Sequence, residues 1–398
     1  MPGELGLSSR STARAWLAGA LLAAAVVAAC DGRRADGAVP QPPREAAAAA
    51  ALAPAAPLPD STFARLIAEL SEPGGYFDTD NLISNEASYL HVAQDLRELR
   101  GRGGAYIGVG PDQNFSYIAA LRPTIAFILD IRRDNMLQHL FFKALFELSP
   151  DRLTYLGLLF GREVDGAGYD EAHAGIETLV ERLDAAAVTP ESRERALRAV
   201  QGRVQALGVP LSAADLERID FIHRSFIEAG PDIRFTSHGR RPQFYYPTYR
   251  QLLLERDRTG LYANYLASAE DFRFVKEMQE RNLVIPVVGD FAGPHALAAV
   301  GREIERRGER VVAFYTSNVE FYLMMDGVFD RFARTVAGLP RADGAVIVRS
   351  YFNRGRTGHP ATVPGYYSTQ LLQDMGDFVE AWRRGEYGSY SALVMAGR

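Results

Sequence analysis

The chain has 398 residues, of which 47% are apolar and 23% are charged, with 36 glycines and 21 prolines. This is the composition of a globular protein with a sizeable core, which excludes a disordered, collagen-like or membrane-embedded chain. The formal net charge is −5, from 44 basic and 49 acidic residues. A polyanion is bound by a concentrated basic surface, so nucleic acid is not expected as a partner. The length suits one large domain with insertions, or two domains.

The first thirty residues predict a bacterial lipoprotein signal. Arg10 and Arg14 supply positive charge, and an unbroken apolar run follows over residues 15–29. This run is too short to cross a bilayer as a settled helix, which takes about 20 residues. Its end, Val27-Ala28-Ala29-Cys30, resembles a lipobox, in which the cysteine becomes the lipidated first residue of the mature protein. We therefore expect a signal peptide over residues 1–29 and lipidation of Cys30. The alternative is a soluble protein with an apolar tail.

The signal peptide and the residues that follow it predict where the folded body lies. Residues 30–59 are rich in alanine and proline and have almost no large apolar side chains, so we expect a disordered tether there. The body, residues 60–398, is then anchored to a bacterial membrane in the cell envelope and lies outside the cytoplasm. Cys30 is the only cysteine, which excludes an intramolecular disulfide and a cysteine-based zinc site.

The body alternates strand and helix patterns. Short, continuous apolar runs are typical of parallel strands that are covered on both faces. Five such runs occur, over residues 105–110, 125–129, 284–288, 311–315 and 345–348. Helical periodicity separates them, over residues 85–99, 111–121, 294–307 and 319–336. The pattern predicts an α/β fold with a Rossmann-like, mostly parallel sheet.

A long helical insertion separates the second and third predicted strands. Helical periodicity occurs there over residues 136–149, 151–161, 170–184, 190–206 and 212–228. Connections of this length are uncommon unless they have a function. We expect the insertion, residues 136–283, to form a cap over the carboxyl edge of the sheet, where open α/β folds bind ligands. A plain structural elaboration is the alternative.

The loop after the first strand has the features of a ligand site. Gly108 and Gly110 would let the backbone approach a ligand, and Asp112 and Gln113 lead into a helix whose first amide groups are free. Asp130 follows Gly110 by 20 residues and suits an acceptor for two ribose hydroxyls. Gln113 stands where the dinucleotide motif G-x-G-x-x-G has its third glycine, which disfavours NAD. A structural turn is the alternative.

This two-glycine loop, with an acid after the second strand, resembles the first motif of class I S-adenosylmethionine-dependent methyltransferases. Further stretches are similar to an uncharacterised bacterial family with lipoprotein-like members in spirochaetes, whose fold is similar to those methyltransferases. The stretches are residues 78–86, 106–135, 145–149, 288–293 and 314–320. The resemblance covers most of residues 61–395. It implies a methyltransferase-like fold and an S-adenosylmethionine pocket, but no particular reaction.

The resemblance implies ligand-binding roles for two more residues. Asp290, at the end of the third strand, would accept a hydrogen bond from an adenine amino group; its alternative is a cap of the helix near Pro294. Asn318 lies where amino-directed methyltransferases keep an acid or asparagine for the acceptor nitrogen, and its alternative is again a helix cap. The surrounding residues 316–320 lack the prolines and the aromatic residue of that motif.

The sequence has no motif typical of several other common chemistries. The seven histidines have no metal-ligand spacing, and neither a G-x-S-x-G elbow nor a Walker loop is present, so metal, α/β-hydrolase and P-loop chemistry are not expected. The arginine pairs 132–133 and 240–241 would suit an anionic substrate, or else a solvated surface. The aromatic run 244–249 would line a pocket between cap and sheet, or else pack in the core.

Two functional hypotheses remain. One is a methyltransferase that binds S-adenosylmethionine between the glycine loop and Asp130, with catalytic residues and methyl acceptor unassigned. The other is a non-catalytic, membrane-tethered binding or assembly protein that retains the fold.

Overall fold

A six-stranded sheet organises the molecule. The computed structural model describes residues 55–237, 243–352 and 358–398. The predicted signal peptide, Cys30, most of the tether and the pair 240–241 lie outside these ranges. The strands are β1 (Ala105–Gly108), β2 (Ile125–Asp130), β3 (Val284–Val288), β4 (Val311–Ser317), β5 (Arg341–Phe352) and β6 (Ser368–Asp374).

The strand order is β3-β2-β1-β4-β5-β6. Strands β1 to β5 are parallel, and β6 pairs antiparallel with β5. The order reverses between β1 and β4, which is the switch point of a doubly wound sheet. The predicted fold class, a Rossmann-like, mostly parallel α/β sheet with a long helical insertion between its second and third strands, is confirmed.

Helices cover both faces of the sheet. They are α1 (Asp60–Leu70), α2 (Ala93–Glu98), α3 (Gln113–Leu121), α4 (Arg133–Leu148), α5 (Arg152–Leu159), α6 (Ile176–Ala185), α7 (Pro190–Ala206), α8 (Ala213–Ala229), α9 (Tyr249–Leu253), α10 (Ala269–Glu280), α11 (Ala296–Arg306), α12 (Val319–Met325), α13 (Phe329–Ala337), α14 (Met375–Arg383) and α15 (Tyr390–Met395). Strands β1, β2 and β3 are buried along their whole length, as their continuous apolar sequence predicts.

The insertion adds a layer of helices outside α4. Helix α4 packs on β2 and β3, while α7 and α8 pack on the outer side of α4. In this contact Phe141 stacks on Phe226 with ring centroids 5.9 Å apart. The insertion therefore thickens one flank of the molecule.

The predicted elements differ from the structure mainly after β4. The single helix expected over residues 319–336 is divided into α12 and α13 at Gly327, which has a positive φ of 68°. Strand β6 was not predicted. Glu320 on α12 forms a fully buried ion pair with Arg349 on β5 at 2.7 Å, and Arg349 also donates a hydrogen bond to Gln373 on β6. This pair fixes the far half of the sheet to its covering helix.

Within the described ranges, none of the helices is both long enough and apolar enough to cross a membrane.

Candidate functional site

A cavity of about 460 Å³ lies at the carboxyl edge of the sheet. The segments that follow four neighbouring strands line it. They are Val109 and Gly110 after β1, 130–132 after β2, 289–291 after β3 and 317–319 after β4. Because the carboxyl ends of parallel strands meet at the switch point, this is the place where an open α/β fold binds a ligand. The cavity volume suits a small organic molecule.

An irregular segment, residues 76–86, covers this cavity; we call it the strap. Among the hydrogen bonds that hold it, Arg132 Nη1 donates to the carbonyl of Asp80 at 2.8 Å, and Gln138 Nε2 donates to the carbonyl of Leu82 at 2.6 Å. None of the described residues of 136–283 lines the cavity. The strap therefore lines this cavity where a cap from the insertion was expected, and helices α7 and α8 of the insertion pack outside α4.

Gly110 shapes the cavity floor. Its φ of 81° belongs to the left-handed region that favours glycine. His139 Nε2 lies 2.9 Å from the Gly110 carbonyl, and because a carbonyl only accepts, this ring nitrogen donates. Burial lowers the pKa of His139 to about 4, so the ring is neutral at pH 7. The backbone of the loop is thus held from beneath by a neutral histidine.

Gly108, predicted as a ligand contact, does not line the cavity. A Cβ at this position would lie 2.0 Å from Asn114 Oδ1. Asn114 uses that space to donate from Nδ2 to the carbonyls of Val109 and Pro111, at 2.9 and 2.7 Å. The absence of a side chain at Gly108 therefore serves the packing of the loop.

Asp112 also lies away from the cavity, behind the loop. Its carboxylate accepts hydrogen bonds from Tyr249 Oη at 2.6 Å and Tyr265 Oη at 3.3 Å. Tyr265 in turn lies 3.2 Å from Tyr155 Oη. Burial raises the pKa of Asp112 to about 6, although the tyrosine hydrogen bonds oppose the rise. The prediction of Asp112 as a ligand contact is corrected, because the carboxyl is enclosed by phenol groups in the core.

Gln113 does reach the cavity. Its Nε2 donates to Tyr315 Oη at 3.3 Å. Its buried Oε1 has no hydrogen-bond partner among the described residues. A buried acceptor without a partner is uncommon in folded proteins, and water or a ligand usually supplies the missing donor.

Asp130 lines the cavity but is already paired. Arg132 donates to it three times: from Nε at 3.1 Å, from Nη2 at 2.8 Å and from its backbone N–H at 2.9 Å. Its neighbour Arg133 forms a two-pronged pair with Asp215, at 2.7 and 2.9 Å. Neither arginine is thus a free anion site or a freely solvated charge. Each neutralises an acid of this chain.

Glu86 is a cavity residue that the sequence did not reveal. Its carboxylate is buried and accepts hydrogen bonds from Tyr315 Oη at 2.6 Å, from Gln370 Nε2 at 2.8 Å and from Ser317 Oγ. Ser317 has a positive φ of 53°, which is costly for a residue other than glycine. Glu86 lies in the irregular strap, where no periodicity marks a buried position.

Asp290 and Asn318 both line the cavity. Asp290 Oδ1 accepts a hydrogen bond from the Ala292 backbone N–H at 2.9 Å, so it closes a turn and does not cap α11. Asn318 occupies the N-cap position of α12 but makes no side-chain capping bond. Its side chain faces the first cavity and a smaller second cavity beside it.

The second cavity, of about 70 Å³, shares a wall with the first. The shared wall consists of Phe77, Asn81, Asn85, Ser317, Asn318 and Tyr322. The insertion contributes Phe235, Ser237, Tyr245 and Tyr246 to the lining. The aromatic run 244–249 is thus divided, because Tyr245 and Tyr246 reach this cavity while Tyr249 contacts Asp112.

The first cavity is acidic. Among the described residues that line it, the acids are Asp78, Glu86, Asp130, Asp290 and Asp326, and the single basic residue is Arg132. Apolar and aromatic side chains make up much of the remaining surface, with Phe77, Phe291 and Tyr322 among them. Such a cavity favours a ligand with positive charge and disfavours a pyrophosphate.

Three chains of solved structures are similar to this one, and we name one of them. It is the rRNA methyltransferase aviRa from Streptomyces viridochromogenes, with 14% sequence identity and a TM-score of 0.28, over 77% of this chain and 96% of that chain. No curated protein matches the sequence.

A family model nevertheless matches most of the chain. The sequence model described as "Domain of unknown function (DUF7790)" matches residues 82–392. The match includes every strand of the sheet and the four strand ends that line the first cavity. The chain belongs to the DUF7790 family.

Proposed function

We propose that the first cavity binds S-adenosylmethionine, and that the chain is a methyltransferase-like protein of the cell envelope. The observation that carries this proposal is the acidic cavity at the switch point, with five carboxyl groups and one guanidinium in its lining. S-adenosylmethionine bears a sulfonium and an ammonium group against one carboxylate. An acidic site complements this net positive charge, whereas it would repel a dinucleotide pyrophosphate.

The residues of the cavity fit such a ligand at three places. The left-handed backbone at Gly110 permits close approach, because no Cβ stands over the loop. Gln113 Oε1 offers an acceptor that is otherwise unsatisfied. Phe77, Phe291 and Tyr322 offer aromatic surface for a flat base. Asp290 would hold the polar edge of the base.

The bound ligand supplies an already activated methyl group, so this chain would contribute mainly binding and orientation. The strap would exclude water, since it lies over the cavity and is tied down through Arg132 and Gln138. Glu86 and its hydrogen-bond partners would form the polar inner wall of the cavity.

Asp130 favours the second candidate, a non-catalytic binding or assembly protein that uses the same cavity for another ligand. Its carboxylate already accepts three hydrogen bonds from Arg132. Ribose hydroxyls would have to compete with a buried guanidinium for the remaining acceptor positions. A ligand without a ribose meets no such competition.

Thermal unfolding of the full-length chain with added ligand separates the two candidates. S-adenosylmethionine or S-adenosylhomocysteine is expected to raise the melting temperature, by a stabilisation of about 2.7 kcal/mol at a hundredfold excess over the dissociation constant. NAD is expected to leave it unchanged. No shift with either adenosine ligand at millimolar concentration, in folded protein, would support the non-catalytic candidate.

A pair of matched variants locates the effect. Asp290→Asn removes a charge from the cavity, whereas Asp134→Asn removes one from α4, where Asp134 pairs with Arg218 outside the cavity. Only Asp290→Asn is expected to weaken the ligand-induced shift. Asp130 is a poorer choice, because its removal leaves Arg132 buried and unpaired. Equal effects of the two variants would contradict binding in this cavity.

We further propose that Cys30 carries a lipid that holds the body at a membrane, outside the cytoplasm. The pattern of residues 1–30 supports this proposal. Cys30→Ser is expected to abolish incorporation of a radiolabelled fatty acid and to release the protein from the membrane fraction. A Cys30→Ser chain that is still acylated and membrane-bound would contradict it. S-adenosylmethionine is not expected outside the cytoplasm, so this result also weighs on the choice between the two candidates.

A further inference from the structure

Three aromatic rings form an exposed cluster beside the second cavity. Tyr245 stacks on Tyr367 with ring centroids 4.6 Å apart and planes 21° apart. Phe244 packs edge-on against both rings, at 5.5 and 5.6 Å. Phe244 is nevertheless 81% exposed and Tyr367 is 45% exposed. Large side chains that gather at the surface of a globular protein usually mark a binding site, because they gain nothing from solvent.

Tyr245 belongs both to this cluster and to the lining of the second cavity. The polar part of that lining has only amide and hydroxyl side chains: Thr79, Asn81, Asn85, Ser237, Ser317 and Asn318. The described residues that line it include no charged group. This distinguishes the second cavity from the acidic first cavity, although they share a wall.

Two of these polar groups, the hydroxyls of Thr79 and Ser237, lack a hydrogen-bond partner among the described residues. Thr79 is 5% exposed, and its buried Oγ1 has no hydrogen-bond partner among the described residues. A buried hydroxyl in this condition indicates that water or a ligand group completes its hydrogen bonding. The cavity, at about 70 Å³, has room for about two waters at ~30 Å³ each, or for one hydroxyl or hydroxymethyl group of a larger molecule.

We propose that Phe244, Tyr245 and Tyr367, together with the second cavity, form a binding site for an uncharged saccharide. A sugar ring has apolar C–H faces that pack on flat aromatic surfaces, and hydroxyl groups that both donate and accept hydrogen bonds. Amide and hydroxyl side chains can do both as well. One sugar ring lies on the aromatic cluster, and one of its hydroxyl substituents enters the cavity.

The chemistry of the site disfavours other ligands. An anion would find no basic side chain in the described lining, and a cation no carboxylate. Nucleic acid requires a basic surface, which a chain with net charge −5 does not suggest. An extended peptide usually docks along a free strand edge or in an apolar groove, neither of which lies in this cavity. The proposal does not depend on binding of S-adenosylmethionine.

Saturation-transfer NMR on the full-length chain tests the proposal, with cellotetraose, chitotetraose and maltotetraose as probes. At least one of these neutral oligosaccharides is expected to bind. Phe244→Ala and Tyr367→Ala are each expected to weaken its affinity at least tenfold. Both side chains are exposed, so the fold should persist. Phe221→Ala is the matched control, since Phe221 is a similarly exposed ring on α8 that lines neither cavity.

Each outcome decides the question. Binding that is lost in the two cluster variants and kept in Phe221→Ala supports the site. Absence of binding by all three oligosaccharides at millimolar concentration overturns it, as does binding that the cluster variants leave unchanged. An uncharged, asparagine-rich peptide serves as the competing probe. If the peptide alone binds, with the same dependence on Phe244 and Tyr367, the site is a peptide site and the saccharide proposal is wrong.

Discussion

A buried carboxyl group lies on each side of the glycine loop, residues 108–113, and the two groups differ in whether a positive charge pairs with them. On the cavity side, Asp130 pairs with the guanidinium of Arg132. On the core side, Asp112 accepts hydrogen bonds from the hydroxyls of Tyr249 and Tyr265, and none of its partners among the described residues is positively charged. A phenol hydrogen bond stabilises a carboxylate without neutralising it, and the pKa of Asp112 rises to about 6. The comparison teaches that a buried acid needs an opposite charge, as well as hydrogen bonds, to stay ionised at low cost.

Removing the opposite charge gives the largest expected effect. Arg132→Ala leaves the Asp130 carboxylate buried and unpaired, and it frees the strap at the Asp80 carbonyl. Loss of one partner of a buried pair costs about 3–5 kcal/mol. Urea unfolding of the full-length chain measures this loss.

The adjacent arginine provides the control for this variant. Arg133 is half exposed in its pair with Asp215, so Arg133→Ala is expected to cost about 1 kcal/mol or less. If the two variants lose similar stability, the contrast between the buried pair and the pair with a half-exposed arginine is wrong.

On the core side of the loop, Asp112 is expected to make the free energy of unfolding depend on pH. The folded pKa of Asp112, about 6, lies above the ordinary value of 3.8, so the folded state binds this proton more tightly than the unfolded state. Stability from this group is therefore present below pH 4 and is lost as the pH rises to 6, by about 3 kcal/mol. Asp112→Asn is expected to abolish this loss.

The measurement is the difference in unfolding free energy between Asp112→Asn and the wild type, at pH 4 and at pH 7. The difference cancels the buried histidines His91, His139 and His223, whose pKa values of about 4 give the opposite dependence, with stability lost as the pH falls from 6.5. Between pH 4 and pH 7, the difference in unfolding free energy is expected to shift by about 3 kcal/mol in favour of the variant. A difference that does not change with pH would contradict a titrating Asp112.

The smallest effect separates conformational strain from ligand contact on the cavity side. Gly110→Ala and Gly208→Ala both place a side chain at positive φ, 81° and 72°, and each is expected to cost about 1–2 kcal/mol of stability. Only Gly110 lies in the cavity, where an added Cβ would come within 3.1 Å of Gln113 Nε2. Isothermal titration with S-adenosylmethionine is expected to show weaker binding for Gly110→Ala alone. Equal affinities would show that the loop does not contact the ligand.

The sequence predicts the parallel part of the sheet well, because β1 to β4 are continuous apolar runs and the middle of β5 is another. Strand β6 escapes this reasoning, because polar side chains make up most of it and they are buried through hydrogen bonds: Gln370 with Glu86, and Gln373 with Arg349. Such polar burial depends on partners from distant parts of the chain. Periodicity along one segment cannot show it.

The candidate site likewise contains residues that the sequence predicts and residues that it does not. Gly110, Gln113, Asp130, Asp290 and Asn318 line the cavity, because each follows a strand end that the sequence marks. Gly108 and Asp112 share that motif but do not line the cavity, because Asn114 fills the space beside Gly108 and the tyrosine hydroxyls hold the carboxyl of Asp112 in the core. The resemblance marked residues 78–86 but gave the strap and Glu86 no role, because an irregular segment is placed by contacts such as that of Arg132 with the Asp80 carbonyl.

The position of the insertion has a consequence for the order of folding. Strands β5 and β6 are joined by a short connection, whereas about 150 residues separate β2 from β3. Closing the longer loop costs about 2 kcal/mol more in chain entropy. Pairings between residues distant in sequence also form slowly. We therefore expect the pairings of β2 with β3 and of β1 with β4, which both span the insertion, to form last, after the helices of the insertion have assembled around α4 and shortened the distance that the chain must close.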